Sequence, residues 1–421
     1  MSATREPARR AIVIGGSISG LYAALLLMRH NWHVDVHERT PGELAGRGAG
    51  IVAQPDLRAG LAAAGIGDIG EVGVEVATRV LLDASGRTLF QHPCPQTVTS
   101  WERVHRLLRA RLPDRHYHAG SELQRIEIAE PIGIAHFADG RRVEADLIVG
   151  ADGFRSTVRQ QLFPATRFDY AGYVAWRGLV DEAGLSAATH AAIFWQFAFG
   201  LPPGEQCIGY PVTGAAEGLG DDLTPGRLRY NFVWYRPADE TTDLQRLLTD
   251  DSGRVHALSI PPPLISTRAR AEMRDAADRL LAPPFREVIA LAPQPFLQPI
   301  YDLESDALCR GPVAIIGDAA FLARPHVAAG VIKAVDDVLA LVAALDAEGP
   351  DGRVAAALRR FEAERLPVGR RIIARARAMG ANYRPASMAG GAPRLSDADV
   401  DYARAVVEDT ALTTFLREGQ G

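Results

Sequence analysis

Three short strings carry residue types suited to holding phosphates and polyols. The first is Gly15-Gly16-Ser17-Ile18-Ser19-Gly20. It follows the apolar run Ala11-Ile12-Val13-Ile14 and opens an Ala- and Leu-rich stretch from Leu21 to Arg29. Glycines at such a turn let the backbone approach a pyrophosphate, and a helix that starts there offers free N–H groups and its positive dipole end. The dipole contributes on the order of 1 kcal/mol toward an anion. Glu38 ends the next apolar run, where its carboxylate can accept hydrogen bonds from an adenosine ribose. In the G-x-G-x-x-G spacing, position 17 would be glycine and is Ser17, so the string departs from the pattern once. The plainer alternative is an ordinary strand-to-helix turn.

The second string is Leu147-Ile148-Val149-Gly150-Ala151-Asp152-Gly153, followed by a helix start that includes Arg159. The third is Gly317-Asp318-Ala319-Ala320, which follows Val313-Ala314-Ile315-Ile316. Beyond it stand Arg324-Pro325-His326 and Ala328-Ala329-Gly330. A carboxylate at a strand end can bind polyol hydroxyls. A helix beginning near Ala328 points N–H groups at its neighbour and suits a ring that becomes negative on reduction. His326 has an ordinary pKa of about 6.5, which allows proton traffic at neutral pH. A fourth string, Gly65-Ile66-Gly67-Asp68-Ile69-Gly70, matches G-x-G-x-x-G letter for letter. It follows a helical pattern, Leu57 to Ala64, and not a strand. Gly65 is therefore read as a helix C-cap and the rest as a loop.

The elements that must position these residues fall into three groups. Ala11–Ile14, the helix from Leu21 and the strand His33–Glu38 form a β-α-β unit of a parallel nucleotide-binding sheet. In mid-chain, Phe194–Phe197, Cys207–Tyr210 and Arg229–Tyr235 are aromatic, strand-like runs that predict a separate antiparallel sheet. Thr213 to Pro225 reads as an exposed hairpin loop. Trp195, Phe197, Tyr230, Phe232 and Trp234 alternate, which by itself means one buried sheet face. Helices are expected over Ala328–Leu345, Arg353–Met379 and Ser396–Arg417, the last after a break at Gly390-Gly391-Ala392-Pro393.

In this order and spacing the three motifs resemble those of the class A flavoprotein hydroxylases, FAD-dependent aromatic monooxygenases, over most of the chain. Gly15–Leu21, Gly50-Ile51-Val52 with Gln54-Pro55, Tyr170-Ala171-Gly172-Tyr173 with Trp176-Arg177-Gly178, and Arg324-Pro325-His326 resemble the dihydroxypyridine hydroxylase branch, in which Ser17 is typical. The resemblance implies a Rossmann-like α/β FAD-binding domain of glutathione-reductase type (1–73, 98–170 and 288–375). It also implies an inserted substrate domain on a mainly antiparallel sheet (74–97 and 171–287) and a C-terminal helical segment (376–421). The implied cofactor contacts are Gly15, Ser17, Ile18, Ser19 and Gly20 at the pyrophosphate, Glu38 at the adenosine ribose, and Arg39. Arg47, Gly50 and Arg103 follow, then Asp152, Gly153 and Arg159 from the second motif. Gly317, Asp318, Pro325, Ala328, Ala329 and Gly330 lie around the ribityl chain and flavin ring. Pro325 lies against that ring, and His326 or Tyr210 takes or relays a substrate proton. Phe321 stands where many relatives have histidine.

The implied reaction is hydroxylation of a small, already hydroxylated (hetero)aromatic ring. It uses NADH or NADPH and molecular oxygen, through a flavin C4a-hydroperoxide. A dehydrogenase or reductase on the same fold, or a non-catalytic flavin-binding redox sensor, stays open as an alternative. A Baeyer–Villiger oxygenase would need a second dinucleotide fingerprint, and a tryptophan-type halogenase would need a lysine well before mid-chain. The sole lysine of the 421 residues is Lys333. A net charge of −5 argues against a nucleic-acid partner. Cys94, Cys207 and Cys309 form no CxxC, so neither zinc nor a disulfide framework is expected. No signal peptide or membrane-length run is evident, which points to a reducing cytoplasm. A homodimer is left open.

Overall fold

The structure, a computed structural model, describes residues 9–42, 44, 50–66, 72–215, 223–349, 352–383 and 400–412. Strands in the first part of the chain are β1 (Arg10–Ile14), β2 (His33–Glu38), β3 (Gly50–Val52), β4 (Val74–Leu82), β5 (Thr88–Ser100) and β6 (Tyr117–Ala119). The next are β7 (Leu123–Ala129), β8 (Ile132–Phe137), β9 (Arg142–Ala145), β10 (Leu147–Gly150), β11 (Phe168–Asp181) and β12 (Phe197–Gly200). The last are β13 (Gln206–Val212), β14 (Arg229–Pro237), β15 (Phe296–Glu304), β16 (Cys309–Arg310), β17 (Val313–Ile315) and β18 (Phe321–Leu322).

One sheet has the order β16-β17-β10-β1-β2-β6 and is parallel except at its β16 edge. Ala11 pairs with Leu147 on one side and Val34 on the other. Its central strands are fully buried, as expected of parallel strands covered on both faces. The Ile18–Arg29 helix packs against the Gly330–Glu348 helix, which in turn packs against Val354–Met379. This order has one decisive consequence. β17, β10 and β1 are neighbours, so the three motifs, far apart in sequence, leave adjacent carboxyl ends of one parallel sheet. In open α/β sheets, ligands bind at that edge.

The second sheet, β18-β15-β11-β14-β13-β12-β4-β5-β3, is antiparallel apart from the β12–β4 pair. β3 and β15, which the resemblance assigns to the cofactor part, hydrogen-bond into this larger sheet. Its core is aromatic, with Phe197, Tyr230, Phe232 and Trp234 at 0–1% exposure. A small antiparallel sheet, β7-β8-β9, flanks the first.

Several expectations are corrected. Phe194–Gln196 are not strand: His190–Phe194 form a π-helical turn and β12 starts only at Phe197. Trp195 is accordingly 42% exposed and breaks the predicted buried alternation. The helix expected near Ala328 starts at Gly330, because Pro325–Val327 form a 3-10 turn and Ala328 is left-handed at φ 46°. Thr213 is buried at the base of the β13–β14 hairpin, whose tip lies outside the described residues. Of the last predicted helix, Val400–Asp409 is described. Gly65 follows the Pro55–Ala63 helix at φ +79°, and its N–H reaches Ala62 O. The remainder of that decoy, from Gly67, lies outside the described residues, as does Arg47. Among the described residues, no helix is long and apolar enough to cross a membrane.

Candidate active site

Close backbone approach explains the glycines of the first motif. A Cβ on Gly15 (φ +107°) would lie 2.4 Å from Ala151 O, in the second motif, and one on Gly20 would lie 1.9 Å from Gly15 O. Position 17 carries no such constraint. Ser17 is extended (φ −80°, ψ −176°), so the departure from the glycine pattern needs no structural compensation. Ser17 is the N-cap of the Ile18–Arg29 helix and makes no side-chain capping bond. The helix N-terminus is therefore left open toward the two cavities that Ser17 lines.

The smaller cavity, about 200 Å³, is bounded by Ser17, Glu38, Arg39, Asp152 and Gly153. Glu38 is buried and accepts the N–H groups of Gly16 and Thr40, each at 2.9 Å. A carboxylate has about four acceptor positions, so capacity for hydroxyl donors remains. Asp152 Oδ2 accepts the N–H groups of Thr157 (2.7 Å) and Val158 (3.2 Å), whereas its buried Oδ1 has no partner. Burial pushes the Asp152 carboxyl above its ordinary range, against hydrogen bonds that pull it down. A buried acceptor without a donor, on the wall of a cavity, calls for a ligand hydroxyl or N–H.

Arg159 does not line these cavities. Its guanidinium donates to Ala319 O (3.0 Å) and Phe154 O (2.6 Å) and ties the second motif to the third. Both ends of the fork are spent on backbone carbonyls. Arg103 is buried on the Trp101–Arg109 helix, its N–H bonded to Ser100 Oγ at 3.1 Å.

The larger cavity, about 580 Å³, runs from Ser17, Ile18 and Ser19 past Asp318, Pro325, Ala328 and Gly330 to the face of the second sheet. Asp318 is half-exposed and ion-pairs at 3.2 Å with the buried Lys333, which also donates to Phe321 O. The Phe321 ring packs over Gly369, where a Cβ would sit 2.2 Å from it. The Gly330–Glu348 helix has Ala329 as N-cap and no capping side chain. A Cβ on Gly330 would meet nothing within 4 Å. An uncapped 19-residue helix thus aims its N-terminus into open space, an arrangement suited to an anionic ring edge.

The far end of this cavity is built by the second sheet. Tyr210 stacks on Phe197 (4.7 Å, 15°) and touches Gly50, where a Cβ would come within 2.3 Å of the ring. Gly50 itself donates to Asn231 Oδ1 at 3.1 Å. Burial pushes the Tyr210 phenol up to about 12, against a weaker pull from Arg177. His326 is buried among Tyr173, Tyr235 and Tyr383, with Nε2 2.8 Å from Tyr173 OH. Burial, with Arg324 nearby, lowers its pKa to about 3. An imidazole lowered this far is neutral at physiological pH and a weaker base than the ordinary histidine on which the proton-relay expectation rests. Arg324 is fully buried in a two-pronged bond to Asp302.

Several contributors were not assigned from sequence. Arg177 and Tyr235 line the cavity, as do Thr410 and Ala411 from the C-terminal segment. That segment is held by Arg79 donating to Val407 O (2.7 Å) and Thr410 O (2.8 Å), and by Ala411 N–H to His326 O (2.8 Å). A lone arginine inside the apolar run Tyr173–Val180 was the available signal for Arg177.

The residues therefore fit FAD. Two uncapped helix N-termini, a buried orphan acceptor and glycines at three strand ends face two cavities that share Ser17. Residues 170–302 match the family model described as FAD binding domain-like. The chain is 33% identical over 333 residues to the 2,6-dihydroxypyridine 3-monooxygenase of Paenarthrobacter nicotinovorans, covering 79% of this chain and 81% of that protein. It is 27% identical over 357 residues to the 6-hydroxynicotinate 3-monooxygenase of Pseudomonas fluorescens, with 78% and 80% covered. The solved 2,6-dihydroxypyridine-3-hydroxylase from Arthrobacter nicotinovorans superimposes with a TM-score of 0.83 at 29% identity, over 97% of both chains. The fold is shared as well with Klebsiella pneumoniae HpxO complexed with FAD and uric acid (TM-score 0.73, 22% identity, 97% and 95% covered). The chain belongs to the FAD-dependent aromatic monooxygenases, the class A flavoprotein hydroxylases.

Proposed function

We propose that this chain hydroxylates a small heteroaromatic ring that already carries a hydroxyl group, taking electrons from NADH or NADPH and oxygen from O₂. The observation that carries this reading is the single 580 Å³ cavity, which has an uncapped helix N-terminus at one end and an aromatic cage at the other. When bound, FAD would carry electrons from NAD(P)H to O₂ and so activate the oxygen; the protein supplies position, dryness and charge.

The division of labour follows the two large sheets. From the first, Gly15 to Gly20 would receive the pyrophosphate, and Glu38 and Arg39 the adenosine ribose. Asp152 Oδ1 would accept a ligand donor, and Asp318 the ribityl hydroxyls. Pro325 and the N–H groups at Ala328 to Gly330 would border the flavin ring. From the second sheet, Phe197, Ile208, Val233 and Phe296 give the ring-binding space apolar walls that exclude water. His326, neutral, holds Tyr173 and caps the cage; Tyr210 presents a phenol that stays protonated. These two orient a substrate by hydrogen bonding rather than by taking its proton.

A panel of hydroxypyridines, phenols and hydroxyquinolines, scored by mass for one added oxygen, tests this. At least one hydroxypyridine is expected to accelerate NAD(P)H oxidation and gain one oxygen. Slow NAD(P)H oxidation, unchanged by every ring and with no oxygenated product, would instead indicate a redox sensor.

A further inference from the structure

Among the described residues, one guanidinium of the ring-binding cavity has no counter-ion. Arg177, on β11, donates through Nη1 to the neutral Gln298 Oε1 at 2.8 Å. Its Nε is buried without a partner, and no carboxylate among the described residues lies within ion-pair distance of it. The other charged groups of the same cavity are matched: Arg324 with Asp302, and Asp318 with Lys333. The remaining titratable groups that line the cavity are Tyr210, Tyr235, Tyr301 and His326. Burial raises all three phenols and lowers the imidazole, so none supplies a negative charge at neutral pH. The guanidinium carbon sits 6.0 Å from the Phe296 ring, at the outer limit of a cation–π contact. A half-buried cation beside an apolar wall with one neutral partner has donor capacity left for a ligand, and such groups gather at binding sites.

We propose that Arg177 is the anion-recognition group of this cavity, pairing with an oxyanion on the aromatic ring, either an ionised ring hydroxyl or a ring carboxylate. The proposal deepens the function given above and rests on it. For a hydroxyl, the pairing has a chemical consequence. A ring oxygen that binds deprotonated pushes electron density into the ring, and electrophilic hydroxylation needs that density. The hydroxyl proton would go to solvent while the oxyanion pairs with Arg177, so the charge would favour the ionised substrate with no side chain acting as base. This fits a cage whose histidine and tyrosines are all held neutral.

The test uses the FAD-loaded protein and ¹⁹F NMR with 4-fluorophenol, 4-fluoroanisole and 4-fluorobenzoate. The ¹⁹F shift of 4-fluorophenol distinguishes phenol from phenolate and is independent of turnover. The parent protein is expected to bind 4-fluorophenol or 4-fluorobenzoate at least about 10-fold more tightly than 4-fluoroanisole. If the hydroxyl is the partner, bound 4-fluorophenol should ionise about 1–3 pH units below its free value. A preference for 4-fluorobenzoate instead identifies the carboxylate as the source of the charge. In Arg177→Met, with FAD content unchanged, the preference and any shift should vanish, and Arg177→Lys should restore part of both. If Arg177→Met fails to hold FAD, Arg177→Lys and the three-ligand comparison on the parent still decide. Equal binding of all three ligands by the parent overturns the proposal, as does an undiminished preference in Arg177→Met. Neither result bears on oxygenation, which the mass-scored panel reads separately.

Discussion

Gly317 and Ser19 meet where the third motif crosses the first: a methyl group placed on Gly317 would lie 2.5 Å from Ser19 Oγ. Gly317 also has φ +60° and donates its N–H to Asp337 Oδ2 at 3.0 Å, with Arg365 holding the other carboxylate oxygen at 2.9 Å. The contact sets the spacing between two strand ends beside one cavity. Gly317→Ala is therefore expected to shift that spacing and to retain less FAD, read from the ratio of flavin to protein absorbance after gel filtration. Left-handed backbone and a side-chain clash together should lower stability by about 1–3 kcal/mol. Full FAD retention in Gly317→Ala would show that the seam is slack.

Lys333 and Asp318 should behave as a unit. Asp318→Ala leaves a fully buried ammonium with the Phe321 carbonyl as its one remaining partner among the described residues. Removing one partner of a buried pair costs about 3–5 kcal/mol, and here less, about 2 kcal/mol, because Asp318 is half-exposed. Adding Lys333→Met to Asp318→Ala should recover most of that loss in urea unfolding, since the stranded charge goes with it. Both proteins should hold FAD weakly if Asp318 takes the ribityl hydroxyls as proposed, because neither has that carboxylate. Strictly additive losses in the double mutant would mean that the two residues do not interact.

The Gly65 string separates a helix cap from a nucleotide motif. Gly65→Ala puts a side chain at φ +79° and should lower stability by about 1–2 kcal/mol. FAD and NAD(P)H affinities should stay within a few-fold of the parent in fluorescence titrations. Loss of either one would mean that this loop binds a dinucleotide after all.

The parts of the site that the sequence made legible are those written locally. Apolar runs ending in glycine located the ends of β1, β10 and β17, because a fully buried strand and a tight turn both leave short-range signatures. That these three ends lie side by side depends on pairings such as Ala11 with Leu147, which no local pattern carries. Phe194–Phe197 was misread for a related reason: an aromatic run fits a buried strand and a buried helical turn equally well. Here Phe194 stacks on His190 at 4.5 Å inside a π-helical turn, and Trp195 is left outside. Arg177 is a charge inside an apolar strand, a local signal that carries no role by itself, because its neighbours come from positions 210, 235 and 298. The character of His326 was invisible for the same reason, since the three tyrosines that bury it come from β11, β14 and the turn at Ala381–Tyr383.

His326 leads to a prediction about pH. In the folded chain its pKa is lowered to about 3, and in the unfolded chain it returns to about 6.5. Between those values the unfolded chain binds a proton that the folded chain does not. The stability that neutral His326 confers is therefore complete above pH 6.5 and is lost as pH falls toward 3. Its slope is about 1.4 kcal/mol per pH unit. His37 is lowered to about 3 by burial and adds to this slope, whereas Asp336, raised to about 6 by burial, opposes it. Comparing the parent with His326→Gln isolates His326, because the other two groups are common to both. The glutamine can still hydrogen-bond Tyr173 OH. From pH 6.5 to 5, urea midpoints should fall more steeply in the parent, by close to one proton. Hydroxylation rates give the second reading. A histidine neutral throughout pH 6–9 contributes no inflection, so His326→Gln should change the rate without changing the shape of the profile. A parent inflection near pH 6.5 that disappears in the mutant would instead make His326 an ordinary titrating base, and the proton relay would return to it.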